Sequence, residues 1–168
     1  MLVGDALGRA MVELLDAAAP ETPYQNWAGS TSFAGTLTDP DPALDFDGGS
    51  LATGIEWVLG GDPTDPGDDA GLAPTLDNTS DPDGKLLFIF RRSAAANDDP
   101  NTTIVVEFGS DLDGWTTAEH QGAGPDDITI TALPDPSDPG IDIVTVALPP
   151  NRAAAGKLFA RLRVTIEP

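Results

Sequence analysis

Cysteine is absent from all 168 residues, which excludes disulfides, thiol nucleophiles and Cys-ligated zinc. Histidine is nearly absent. His120 stands alone in "AEHQGAGP", with no second His, no Cys and no nearby Ser-centred motif, so neither a multi-histidine metal site nor a usual triad is expected, and a surface position is. Basic residues are scarce too: 8 Lys and Arg face 28 Asp and Glu, a formal net charge of -20. A field of that sign repels phosphate backbones and anionic membrane surfaces, which argues against nucleic-acid and lipid-surface roles. No stretch reaches the roughly 18–20 apolar residues of a membrane span, so no membrane insertion is expected. The N-terminus shows no basic leader or cleavage site of a signal peptide. An exported protein would therefore be represented here by its mature form or by a piece.

What is abundant is Asp, Gly and Pro. Eight Asp-Pro pairs, among them Asp62-Pro63 and Asp65-Pro66, punctuate the chain. Asp before Pro is held out of the helical region and favours turns, so these pairs read as solvated loops. Apolar content is 40%, enough for a packed core in a chain of this length.

Three regions follow. Residues 1–63 read as a helical segment. Within it, "LVGDALGRAMVELLDAAA" predicts an amphipathic helix over residues 2–19, and "ETPYQNWAG" offers Thr22 as N-cap with Pro23 as first helical residue. Residues 64–84 read as a Gly/Asp/Pro-rich linker. Residues 85–168 turn to period two in "KLLFIFRR", "TTIVVEFGS", "DITITAL", "IDIVTVAL" and "KLFARLRVTI", with a further strand or edge at "GWTTAEH". "IDIVTVAL" is apolar on both faces, as a central strand would be. The fold class expected is mainly β: a small antiparallel β-sandwich preceded by short helices.

One stretch carries chemistry: "DFDGGSLATGIEWVLGGDP", residues 45–63. An EF-hand-type loop takes oxygen ligands from positions 1, 3, 5, 7 (a backbone carbonyl), 9 and 12, with Gly at 6 for the sharp turn. Counting Asp45 as 1 places Asp47 at 3, Leu51 at 7, Thr53 at 9 and Glu56 at 12. These five are the candidate metal ligands, with calcium, weakly bound, as the ion. Two positions depart. Gly49, at 5, has no side-chain oxygen, and Ser50, at 6, must adopt a backbone that Gly reaches cheaply, at roughly 1 kcal/mol. These departures favour a plain turn capped by Asp45 and Asp47, with Ser50 opening a helix that Gly60 closes. Weak calcium binding is the other reading.

"YQNWAG", "LDFDGGSLATGIEWVLGGDPT", "LLFIFRRS", "VVEFGSDLDGW" and "GKLFARLRV" together resemble a C-terminal module of large exported proteins of planctomycetes and related bacteria. In that family the acidic segment usually reads Asp-Phe-Asp-Gly-Asp-Gly-Leu-Ala-Asn-Gly-Ile-Glu, a dockerin- or thrombospondin-repeat-like calcium loop. The resemblance covers roughly residues 23–166. It implies secretion, a helical calcium-loop segment and a terminal β domain, and it implies no catalytic residue. Gly49, Ser50 and Thr53 depart from its pattern.

Other candidates point less sharply. Among 28 acidic residues, carboxylate pairs able in principle to hydrolyse glycosides arise by coincidence. Trp27 and Trp57 are expected in the helical core, and Trp115 as a sandwich plug or an exposed platform for sugar rings. Arg91, Arg92, Arg161 and Arg163, with Lys85 and Lys157, lie on the first and last strands. They would form a basic strip if those strands were neighbours, or else pair across strands with Glu107 and nearby Asp. The function expected is a non-catalytic structural or cell-surface interaction module of a secreted, extracellular bacterial protein, its partner being upstream domains or a surface component. The alternative is a carbohydrate-binding module that takes polysaccharide at Trp115.

Overall fold

The computed structural model describes residues 21–153 and 156–168. The helix expected over residues 2–19 lies outside the described residues.

Helix α1 spans Pro23–Ala28. Thr22 caps it as expected: its side chain accepts the Gln25 amide, and the Gln25 side chain accepts the Thr22 amide, a reciprocal capping box. Helix α2 spans Thr53–Leu59 and ends on Gly60 in the left-handed conformation (φ 76°). Its N-cap is Ala52, not Ser50, because Ser50 has φ 126° and belongs to the loop's turn. A single helical turn, α3, covers Asp69–Leu72, and α4 covers Ala94–Asp98.

Seven strands form two antiparallel sheets. The first runs β1 (Thr75–Asp77), β2 (Leu86–Ser93), β6 (Ile141–Leu148), β5 (Thr129–Pro134). The second runs β4 (Thr116–Thr117), β3 (Thr102–Gly109), β7 (Phe159–Ile166). This is the expected small, mainly β sandwich. The period-two faces are those of the sequence: Phe88, Phe90, Val106 and Phe108 point inward, and β6, apolar on both faces, is central between β2 and β5. Burying each such side chain is worth roughly 1.5–3 kcal/mol. The segment expected as a linker, residues 64–84, carries α3 and the edge strand β1, which pairs Leu76 with Phe88.

The helices do not stand apart from the sheets. Leu59 and Leu72 join the inter-sheet core, whereas Trp57, Val58, Tyr24 and Ala28 form a second cluster closed by Leu162, Val164 and Ile166 of β7. Trp57 Nε1 donates to Thr102 Oγ1 (3.2 Å), and Tyr24 Oη donates to the Pro40 carbonyl (2.6 Å). Helix α2 is thereby held against the sandwich, with its first turn left facing the acidic loop.

The basic strip does not form, because β2 and β7 belong to different sheets. Arg91 pairs with Asp135 and Asp138, Arg92 with Asp142, and Arg161 and Arg163 both with Glu107. The buried Lys85 donates to the carbonyls of Gly124 and Asp127.

Candidate metal centre

The acidic loop is built on short-range turns. Asp45 Oδ1 accepts the Gly48 amide (2.8 Å), and Asp47 Oδ1 accepts the Gly49 amide (2.9 Å). Such Asx turns direct the chain through Gly48 (φ 80°) and Ser50 (φ 126°). Ser50 is the only non-Gly residue with positive φ among the described residues, and it occupies loop position 6. The chain then enters α2, where Thr53 fixes the junction: its amide and its hydroxyl both donate to the Leu44 carbonyl, at 2.8 and 3.0 Å.

Glu56 stands in the first turn of α2. After α2, Gly60 and Gly61 both donate to the Glu56 carbonyl and turn the chain sharply. A side chain at Gly61 would press on Leu72 Cδ1 at 2.6 Å and on Glu56 Cβ at 3.2 Å, so a larger residue here would push Leu72 aside. Asp62 donates its amide to Asp68 Oδ2 (2.9 Å), which holds the returning loop so that Asp69 lies beside Glu56.

The result is a triad of carboxylates. Ligand atoms of Asp47, Glu56 and Asp69 lie within 4.8 Å of one another, a separation that one ion with oxygen ligands at about 2.3–2.6 Å spans. Glu56 is 0% and Asp69 3% exposed. Asp69 Oδ2 accepts the Leu51 amide at 2.8 Å. Both Glu56 oxygens, Asp47 Oδ2 and Asp69 Oδ1 are buried without any hydrogen-bond partner, as is Asp68 Oδ1 nearby. Leaving a buried acceptor unpaired costs about 1–3 kcal/mol, and more when it is charged. No Lys or Arg is paired with any of the three among the described residues. Burial above all, and then the charges of Asp47, Asp69, Asp68 and Asp45, push the Glu56 carboxyl up to about 8. Burial likewise raises Asp47. One cation would satisfy the Asp47, Glu56 and Asp69 carboxylates together. The triad can hold a metal ion.

Of the five residues singled out in the sequence, the structure brings Asp47 and Glu56 together. Asp45 is exposed and holds the turn through Gly48, Leu51 gives its amide to Asp69, and the Thr53 hydroxyl binds Leu44. Asp69 was not foreseen. It reaches the space that a position-5 side chain would take, because a Cβ added to Gly49 would fall on Asp69 Oδ2. The missing oxygen at Gly49 was its only signal in the sequence, and that signal does not select one donor among so many acids.

The remaining candidates are placed as follows. His120 is exposed and accepts the Ile130 amide at Nδ1 (3.0 Å). Trp27 and Trp57 pack in the helical cluster, with ring centroids 5.3 Å apart and ring planes tilted by 47°. The Trp115 ring has the Arg161 guanidinium 4.0 Å over its centroid and donates Nε1 to the Leu112 carbonyl, so one of its faces is covered. No family model, curated protein or solved structure matches this chain.

Proposed function

We propose that this chain is a non-catalytic module of a secreted protein, in which a calcium ion held by Asp47, Glu56 and Asp69 locks the acidic loop, α2 and α3 into one unit on the sandwich. The observation that carries the reading is the state of Glu56: fully buried, with neither oxygen paired, and facing two further carboxylates. Calcium suits the site because it accepts bidentate carboxylates, carbonyls and water in a flexible shell of 6–8 oxygens. Glu56 at position 12 is the residue expected to bind with both oxygens. The three carboxylates leave places for backbone carbonyls and water, and affinity near the millimolar values of extracellular modules is enough outside the cell. The resemblance to terminal modules of exported bacterial proteins supports the same setting, with upstream domains or a cell-surface component as partner. In this role the ion shapes the module and takes part in no reaction.

Thermal melting in EDTA and in calcium tests the reading. At ten times Kd, calcium stabilises the fold by about 1.4 kcal/mol, roughly 3–6 °C for a domain of this size. Glu56→Gln removes the rise. Equal melting temperatures for the wild-type protein in both buffers would sink the calcium assignment. Glycoside turnover lost on changing one carboxylate would sink the non-catalytic one.

A further inference from the structure

β7 is eight residues long, contains no proline, and is the outer strand of its sheet. An exposed strand of that kind presents a row of unpaired backbone groups. The side on which they lie follows from the ladder. Glu167 donates its amide to the Asn101 carbonyl (2.9 Å), directly opposite in the β3–β7 register. Alternation in an antiparallel pair then turns the amides and carbonyls of Arg161, Arg163 and Thr165 toward β3, and those of Ala160, Leu162, Val164 and Ile166 outward. Among the described residues, no backbone or side-chain partner meets these outward groups.

Along this edge runs a groove of about 510 Å³. Pro42, Ala52 and Ile55 wall it on one side, and Leu162 and Val164 on the other. Its only charged lining residues are Arg161 and Arg163. The two side chains are about half exposed, and they share the single Glu107 carboxylate at 2.7 and 3.0 Å. One positive charge is left over, on a chain whose net charge is -20. Glu167 follows on the same face beyond Thr165, so an incoming acidic segment is matched at Arg161 and Arg163 and not at the C-terminal end of the strand.

We propose that the β7 edge docks an extended peptide segment with Asp or Glu at alternate positions and small apolar residues between them, added as a further antiparallel strand. Main-chain bonds to Ala160, Leu162, Val164 and Ile166 supply affinity. The alternation supplies specificity, since acidic residues fall beside Arg161 and Arg163 on the outer face while the apolar ones enter the groove. A second copy of this chain fits poorly. Registers centred on residues 161 to 163 set arginine against arginine, and one centred on Val164, which sets Arg161 opposite Glu167, still brings together two copies of the same large net charge. The docking edge uses none of the three carboxylates of the metal centre.

The test is amide hydrogen exchange by NMR on the full chain, titrated with an octapeptide of alternating Glu and Val. Binding should slow exchange at Ala160, Leu162, Val164 and Ile166, with little change at Arg161, Arg163 and Thr165. Replacing Glu by Lys in the peptide should abolish binding. Arg161→Ser with Arg163→Ser should weaken it at least tenfold. Ala160→Pro removes one outward amide without touching the β3 ladder and should weaken binding as well. The proposal is overturned by no binding, or by equal binding of a peptide with four Glu followed by four Val without protection at the four amides. Protection that appears with protein concentration alone, in the absence of peptide, would also overturn it by assigning the edge to a second copy.

Discussion

Asp69 Oδ2 accepts the amide of Leu51 at 2.8 Å across 18 residues of sequence, and this contact joins two loops that flank α2. The bond commits one oxygen of Asp69 and leaves Oδ1 buried and unpaired beside Glu56. A hydrogen-bonded carboxylate with its second oxygen free is an oriented ligand, with its side-chain rotamer fixed before any ion arrives. The loop after α2 is therefore part of the centre, and the centre is built from two segments.

Asp69→Asn should accordingly remove most of the calcium-dependent rise in melting temperature, although residue 69 lies outside the twelve-residue loop. The amide can still accept from Leu51 through its oxygen, so stability in EDTA should hold or rise as one buried negative charge disappears. Melting in EDTA and calcium, compared with wild type, checks both halves. A calcium response equal to wild type would remove Asp69 from the site.

Gly49→Ala probes the same junction from the other side. A methyl group at residue 49 would meet the Asp69 carboxylate and approach Pro66 Cα at 3.0 Å, so Asp69 must give up the Leu51 amide and the backbone at Pro66 must yield. The expected outcome is a calcium affinity at least tenfold lower, read by isothermal titration, with a loss of stability in EDTA of about 1–3 kcal/mol as the Leu51 amide loses its partner. Unchanged affinity would mean that Asp69 does not need the space Gly49 leaves.

Much of the fold was legible because its signals are local. Period-two runs name β2, β3, β5, β6 and β7, Thr22 and Gly60 mark helix ends, and the spacing of Asp47 and Glu56 marks half the centre. Pairing between distant strands has no such local signal. Nothing in "KLLFIFRR" or "KLFARLRVTI" says that they enter different sheets, and the basic strip depended on that. Asp69 was hidden for a related reason: in "GDPTDPGDDAGL" it looks like its solvated neighbours, and only the turn at Gly60 and Gly61 separates it from them by burial.

Acidity gives a further expectation with a definite sign. Glu56 has a folded-state value near 8 against an ordinary 4.5, raised chiefly by burial. Between these values the unfolded chain has released the proton and the folded protein keeps it, so calcium-free stability should fall as pH rises from about 4.5 to 8 and level off above. Calcium replaces that proton, so the melting difference between calcium and EDTA should widen over the same window and binding should release protons. Melting from pH 5 to 8.5 in both buffers checks the first point, and titration calorimetry in buffers of different ionisation enthalpy checks the second. A calcium effect independent of pH would place the ion away from Glu56.

Ser50→Gly isolates the cost of the loop's turn. At φ 126° an L side chain is strained by roughly 1–3 kcal/mol, and Gly relieves this while adding about 0.5–1 kcal/mol of unfolded-state entropy. The net expectation is a gain of up to about 2 kcal/mol in EDTA, seen as a higher denaturant midpoint. Ser50→Ala should gain nothing, because its Cβ keeps the strain. Tighter calcium binding should accompany the glycine variant only if the turn must tighten around the ion, so an equal gain with and without calcium identifies relief of strain alone. A loss of stability in Ser50→Gly would mean that the Ser50 side chain supports the turn, contrary to the backbone account given for loop position 6.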